Sequence, residues 1–243
     1  MAGIGKIKKE VQEYFQKYFK EVREIYLKGD YTEWSYRTPF ENFIEALDSK
    51  YNLIQEPKRT RGLGAPDFKA FYNNRKVGFI EAKDLGENLE RTLETDQFKK
   101  YINAIDNLIL TNYMRFILIR KGQKAYDITL FTLSDLQNGK FQISDDKIQS
   151  FLSLMGEFFG YKLPTIKSAE ELANELSKRA KLLKELAAEQ LQEDINNAKN
   201  TSSIYDFYLG IKELIRDIKV EDCADAYAQT VTYGLFLAKK NCQ

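Results

Sequence analysis

Residues 66–83 read PDFKAFYNNRKVGFIEAK, and this stretch decides the fold. Two runs rich in aromatic and β-branched residues flank the pair Asn73-Asn74, a pattern that predicts a β-hairpin. The second run is largely apolar on both of its alternating faces, which is typical of a central, buried strand. It ends in Glu81-Ala82-Lys83, so two charged side chains follow an apolar strand. The hairpin therefore predicts both the fold and a candidate site.

The elements around the hairpin predict an α/β protein with a mixed central sheet and helices on both faces. Helical periodicity covers residues 7–25, and a second helix is predicted to start near Pro39 with Thr38 as its N-cap. The other predicted strands are 53–56, 108–111, 116–120 and 128–133, with a helix at 92–104 between them. The last third is predicted to be all-α, with helices at 145–159, 169–198, 204–218 and 224–239. We therefore expect two domains, residues 1–162 and 163–243.

The composition of the 243-residue chain restricts the chemistry of any site. It has no histidine and only two cysteines, which excludes Ser-His-Asp and Cys-His catalysis, histidine-bound zinc and a disulfide framework. A metal site would be built from carboxylates, which favour Mg²⁺-like ions. The net charge is +1, so nucleic-acid binding would need a local basic patch. The sequence shows no signal peptide or membrane span, which predicts a cytoplasmic protein without membrane association.

Asp67, Glu81 and Lys83 are the candidate catalytic residues. Glu81 and Lys83 are two positions apart on a strand, so they project from the same face. Asp67 starts the neighbouring strand, and pairing would bring its carboxylate near Glu81. The two carboxylates and the Ala82 carbonyl could hold a divalent ion, while Lys83 could orient or deprotonate a water, or neutralise developing charge. The alternative is a salt bridge between strand neighbours.

The pattern Pro66-Asp67 … Glu81-Ala82-Lys83 resembles the motif of the PD-(D/E)xK nucleases. The order of the predicted elements is similar to the αβββαβ core of that superfamily, a restriction-endonuclease-like fold. The resemblance implies hydrolysis of double-stranded DNA with Mg²⁺, for which Mn²⁺ would be a substitute. It implies metal binding by Asp67 and Glu81, and assistance of the attacking water by Lys83.

Two further motifs resemble features of the same superfamily. Many members add an acidic residue from the first core helix, and Glu41 is the best match, with Glu45 one turn later. Glu41 alternatively completes a capping box with Thr38. Gln97 and Tyr101 resemble the QxxxY motif of RecB-like nucleases and restriction-enzyme nuclease domains, which implies a position beside the active site and contact with DNA. An amphipathic helix with a core tyrosine is the alternative.

A basic loop before the hairpin is the candidate DNA-binding element. It contains Lys58, Arg59 and Arg61, and residues 56–76 carry six basic against two acidic residues, a local charge of +4. Contacts from this loop to phosphates would position DNA without reading its sequence. The alternative is a solvated basic loop.

The segment from Ala224 to Lys239 resembles the helical entry to the methyltransferase part of fused restriction–modification enzymes, the type IIG and single-polypeptide type I-like group. The resemblance implies a longer parent with an N6-adenine methyltransferase and a target-recognition domain, joined through a helical connector at 169–218. All four prolines are isolated, so the Asn-Pro-Pro-Tyr methyltransferase motif is absent, and S-adenosylmethionine is expected only in the parent. We expect this chain to be the truncated endonuclease module, with transient dimerisation for double-strand cleavage. An ordinary helical bundle is the alternative for the tail.

Two other functions stay open at this point. A RecB-like exonuclease would share the same motifs, although the sequence has no helicase motif. A non-catalytic DNA-docking or assembly module, with a decayed nuclease fold, would make use of the long helical connector. The recognition sequence and the number of strands cut do not follow from these residues.

Overall fold

A computed structural model describes residues 2–55, 66–95, 98–99, 102, 105–162, 166–197 and 202–241. The chain forms two compact units. The first contains Met1–Glu56 and Pro66–Leu163, and the second consists chiefly of Pro164–Gln243. None of the described helices is long and apolar enough to cross a membrane.

The first unit is built on a six-stranded mixed sheet with the strand order β1-β2-β3-β4-β5-β6. Neighbouring strands are antiparallel except β3 and β4, which are parallel. This confirms the predicted α/β class and mixed sheet, and it makes β3 a central strand. The strands are β1 (Tyr51–Gln55), β2 (Phe68–Tyr72), β3 (Arg75–Ala82), β4 (Asn107–Thr111), β5 (Arg115–Arg120) and β6 (Gln123–Thr129).

The predicted hairpin is confirmed. β2 and β3 pair antiparallel around Asn73 and Asn74, whose φ angles are +47° and +63°. Two consecutive residues with positive φ are typical of a type I′ turn, whose twist matches that of the paired strands. Asparagine tolerates this conformation better than most residues, so the two asparagines favour the turn. A β-bulge between Ala70 and Phe71 then shifts the register of the pair by one residue.

Helices cover both faces of the sheet. The helices of the first unit are α1 (Ala2–Lys28), α2 (Arg37–Leu47), α3 (Leu89–Glu94), α4 (Leu133–Asn138) and α5 (Asp145–Phe159), with a 3₁₀ helix at Glu33–Tyr36. On one face, α1, α2 and α5 bury the larger cluster, which includes Phe15, Phe40 and Phe151. On the other, Leu89 and Phe98 pack on alternate residues of β4 and β5. The parallel β3–β4 pair needs a crossover, and these residues belong to it.

Several predicted boundaries were wrong, and two of these errors have a clear physical reason. The second helix begins at Arg37, so Thr38 is not its N-cap and Pro39 lies in its first turn, where a missing N–H costs nothing. Residues 128–133 do not form one strand, because β6 ends at Thr129 and α4 begins at Leu133. The intervening Phe131 is instead buried against α1, with its ring 5.2 Å from that of Phe19.

The second unit is helical among its described residues, as predicted. Its helices are α6 (Ala169–Asn197), α7 (Ser203–Leu214) and α8 (Val220–Asn241). A small core of Ala187, Leu191, Ile204, Cys223 and Ala224 holds them together.

Candidate functional site

The register of the hairpin brings Asp67 to the end of β3. Phe68 lies opposite Ile80 in the β2–β3 pair. Asp67, which precedes Phe68, therefore lies beside Ala82, which follows Ile80 by two positions. The Ala82 N–H donates to Asp67 Oδ2 at 2.8 Å, which fixes the carboxylate against the strand. The side chain of Asp67 is 16% exposed.

Glu81 and Lys83 meet beside this carboxylate. Lys83 Nζ donates to Glu81 Oε1 at 2.6 Å, and Glu81 as a whole is only 8% exposed. The backbone N–H of Lys83 donates to the Thr111 carbonyl at 2.8 Å, extending the β3–β4 pairing by one residue. The backbone that carries both charged groups is therefore held by the central strands.

Arg37 is a second cation of the site. Its Nη2 donates to Glu33 Oε1 at 2.9 Å and also to Asp67 Oδ1. The residue is only 3% exposed, and its guanidinium lies 3.8 Å from the centre of the Trp34 ring. The site thus gathers three carboxylates and two cations from the 3₁₀ helix, the start of α2 and the end of the hairpin.

The ionised forms of the three carboxyl groups are disfavoured, so all three pKa values are raised. Burial raises the pKa of Asp67, and repulsion from Glu81 raises it further. The hydrogen bond from the Ala82 N–H and the charges of Arg37 and Lys83 lower this pKa, but their effect is smaller. Burial likewise raises the pKa of Glu81, although the Lys83 ammonium opposes the shift. The pKa of Glu33 is raised by burial and then by the charge of Asp67. An additional positive charge nearby would stabilise the ionised form of each of these carboxyl groups.

The Lys83 ammonium is stabilised by the same carboxylates. Burial alone would lower its pKa, but Glu81, Asp67 and Glu33 outweigh that effect, so the pKa of Lys83 is raised. Lys83 is therefore a charged hydrogen-bond donor to Glu81.

Tyr113 connects the β4–β5 turn to the 3₁₀ helix that carries Glu33. It is fully buried and has a φ of +66°, a strained conformation for an aromatic residue. Its hydroxyl donates to the Glu33 carbonyl at 2.9 Å, and the Tyr18 hydroxyl donates to the Tyr113 carbonyl at 2.7 Å. These bonds hold the backbone of Glu33 against the core.

The donor set suits a hard, oxygen-binding cation. Glu81 offers buried and Asp67 partly buried carboxylate oxygens. Ions such as Mg²⁺ complete their coordination with waters and substrate oxygens. Among the described residues, no three His, Cys, Asp or Glu side chains form a group that could hold a metal ion by themselves. The arrangement therefore fits a two-carboxylate site rather than an all-protein cage.

The acidic residues predicted from the first core helix have other contacts. Glu41 Oε2 accepts a hydrogen bond from Gln55 of β1. Glu45 Oε1 accepts from the Asn52 side chain at 3.0 Å and from the Leu53 N–H at 3.1 Å. Both residues join α2 to β1, whereas Asp67, Glu81 and Lys83 converge.

Five predicted site residues lie outside the described part of the chain. They are the candidate DNA contacts Lys58, Arg59 and Arg61 and the QxxxY pair Gln97 and Tyr101. Their roles stay predictions.

Glu33 and Arg37 were missed by the sequence reasoning. Their spacing of four residues is a local signal for an ion pair on one helical turn. Asp67 follows Arg37 by thirty positions, however, and no periodicity connects them. Only the packing of the 3₁₀ helix against the hairpin end reveals the cluster.

No protein-family model and no curated protein matches the chain. Among solved structures, it is similar to a cryo-EM structure of a DrdV–DNA complex, with 18% sequence identity and a TM-score of 0.44 over 91% of this chain. The chain spans about a fifth (21%) of the length of that protein. This similarity is too low to assign a family.

Proposed function

We propose that the first unit is a Mg²⁺-dependent DNA nuclease domain of the PD-(D/E)xK type, and that the chain is the endonuclease module of a restriction–modification enzyme. One observation carries the proposal. The partly buried Asp67 carboxylate accepts from the Ala82 N–H at 2.8 Å, at the end of a central strand, and the neighbouring buried Glu81 has the Lys83 ammonium 2.6 Å from its Oε1. Clusters of this kind, with pKa values shifted by burial and by each other, are typical of catalytic sites.

The chain's own groups divide the work of phosphodiester hydrolysis. Asp67, Glu81 and the Ala82 carbonyl would hold Mg²⁺, which lowers the pKa of a bound water and stabilises charge on the phosphate. Lys83, whose ammonium now donates to Glu81, would donate a hydrogen bond to the attacking water or to a phosphate oxygen. The β3–β4 pairing holds its backbone in place, so this alignment costs little reorganisation.

DNA binding would come from the basic residues that the sequence predicts. In this proposal Lys58, Arg59 and Arg61 contact phosphates, while Gln97 and Tyr101 approach the DNA from the crossover between β3 and β4. A linked methyltransferase that uses S-adenosylmethionine, and a target-recognition domain, would belong to the longer parent. Transient dimerisation would allow cleavage of both strands.

The test is cleavage of supercoiled plasmid by the purified chain at high protein concentration, with Mg²⁺ or with EDTA. We expect nicked or linear products only with Mg²⁺, and a loss of at least about a hundredfold in the rate for Lys83→Ala. Lys147→Ala, which removes an exposed lysine of α5, is the matched control and should cut like the wild type.

Each alternative has its own outcome in this assay. Equal cutting by the wild type and Lys83→Ala would refute the site assignment. Degradation of linear DNA without attack on the closed circle would identify an exonuclease. An inactive wild-type chain that also binds no Mn²⁺ in a calorimetric titration would identify a non-catalytic docking module.

A further inference from the structure

Arg37 is built into the site, and the nuclease motif does not account for it. One nitrogen, Nη2, contacts carboxylate oxygens of both Glu33 and Asp67. The guanidinium lies 3.8 Å from the Trp34 ring centre and 5.6 Å from that of Phe68. A cation held by two carboxylates and two aromatic rings is expensive to desolvate, so its presence calls for a functional explanation.

The charges of the cluster give that explanation. Glu33, Asp67 and Glu81 carry three negative charges against the two positive charges of Arg37 and Lys83, which leaves one negative charge. A bound divalent ion would change this surplus to one positive charge. A phosphodiester group carries one negative charge, so the loaded site would match one phosphate of DNA.

We propose that Arg37 is a charge-setting residue of the metal site: it neutralises one carboxylate, keeps metal affinity low in the free protein, and leaves the loaded site with a single positive charge for the scissile phosphate. This inference rests on the proposed nuclease function. It adds that metal ion and DNA phosphate bind cooperatively, because each supplies the charge that the other lacks.

Arg37 could instead serve to position Asp67, but the contacts of Asp67 argue against this role. Asp67 has a separate anchor, because its Oδ2 accepts from the Ala82 N–H at 2.8 Å. That bond comes from a central strand and does not involve Arg37. Without the guanidinium, Asp67 would keep this contact and would face a more negative site.

Four variants separate charge from position, with Mn²⁺ titrated by calorimetry into the 243-residue chain near pH 8. Arg37→Met leaves two net negative charges, Glu33→Gln leaves none, and the double variant returns to one. Arg37→Lys keeps the wild-type charge but loses the guanidinium geometry.

We expect Arg37→Met to bind Mn²⁺ about tenfold more tightly than the wild type, and Glu33→Gln about tenfold more weakly. The double variant and Arg37→Lys should lie within about threefold of the wild type. If Arg37→Met does not fold, the opposite shift of Glu33→Gln and the recovery in the double variant still test the inference.

Weaker Mn²⁺ binding in Arg37→Met and in the double variant would overturn the inference, because it would show that the guanidinium positions Asp67. That outcome would leave the proposed function intact. Absence of Mn²⁺ binding in all variants would overturn both. Mn²⁺ binding by Arg37→Met but not by the wild type would support the charge-setting role of Arg37. It would also count against nuclease activity of the isolated chain.

Discussion

Lys83→Met is the most informative single substitution, because it removes one partner of the ion pair at the centre of the site. Methionine keeps most of the length and the apolar stem of lysine, so the change is mainly one of charge. It leaves Glu81 as a buried carboxylate without the ammonium that now lies 2.6 Å away. A divalent ion bound beside Glu81 would replace the missing charge.

The expected loss of stability follows from the burial of the pair. Removing one partner of a fully buried ion pair costs about 3–5 kcal/mol, whereas an exposed pair contributes about 0–1 kcal/mol. The side chains of Glu81 and Lys83 are 11% and 29% exposed, which places this pair between the two limits. We therefore expect Lys83→Met to lower the free energy of unfolding in EDTA by about 2 kcal/mol, and by about 1 kcal/mol or less with saturating Mg²⁺.

The fluorescence of Trp34 reports on this unit during urea denaturation. Trp34 is the only tryptophan in the chain, and its ring lies 3.8 Å from the Arg37 guanidinium. Lys147→Met, at an exposed position of α5, controls for the loss of a lysine and should show no change with Mg²⁺. An equal loss for Lys83→Met in EDTA and in Mg²⁺ would show that no ion replaces the ammonium, which would refute the placement of the metal beside Glu81.

Two further predictions concern pH and packing. The folded pKa of Asp67 is raised, so the native state binds more protons than the unfolded chain between the two values. In EDTA, we expect the wild type to be most stable relative to Asp67→Asn below about pH 4. This difference in the free energy of unfolding should fall as the pH rises through the folded pKa. A difference that does not change with pH would contradict the raised pKa of Asp67. Gly78→Ala should destabilise the protein by about 1–3 kcal/mol, because the new Cβ would lie 2.9 Å from Phe158 Cε2. Gly86→Ala, where a Cβ meets nothing within 4 Å, is its control in the same urea assay, and equal stabilities of the two variants would refute the packing argument.

The part of the fold that the sequence predicted is the part set by local pattern. Apolar alternation and the Asn73-Asn74 pair predict the β2–β3 hairpin, and its register, including the bulge between Ala70 and Phe71, brings Asp67 to Ala82. Glu81 and Lys83 follow because they are two residues apart on the same strand. The central motif of the site therefore required no long-range information.

The errors and omissions concern features that are set by tertiary packing rather than by local pattern. Periodicity could not separate a buried apolar loop from a strand, so Phe131 was assigned to β6 although it packs on α1. The Arg37–Asp67 contact joins elements thirty residues apart through tertiary packing. Glu41 satisfied a local helix pattern, but the structure joins it to Gln55 and brings Glu33 to the carboxylates instead.

The energetics of the cluster argue that it serves a function rather than stability. Buried ion pairs are frequently no more stabilising than apolar residues of similar volume, and here the pKa values of Asp67 and Glu81 are raised, which means that folding opposes their charged forms. The surrounding core has ample aromatic packing, with Phe40 fully buried on α2 and its ring 5.5 Å from that of Phe68 on β2. A core of this kind has no structural need for two carboxylates at the end of its central strand. Under the proposed function, a bound cation would offset part of the cost that remains after pairing with Arg37 and Lys83.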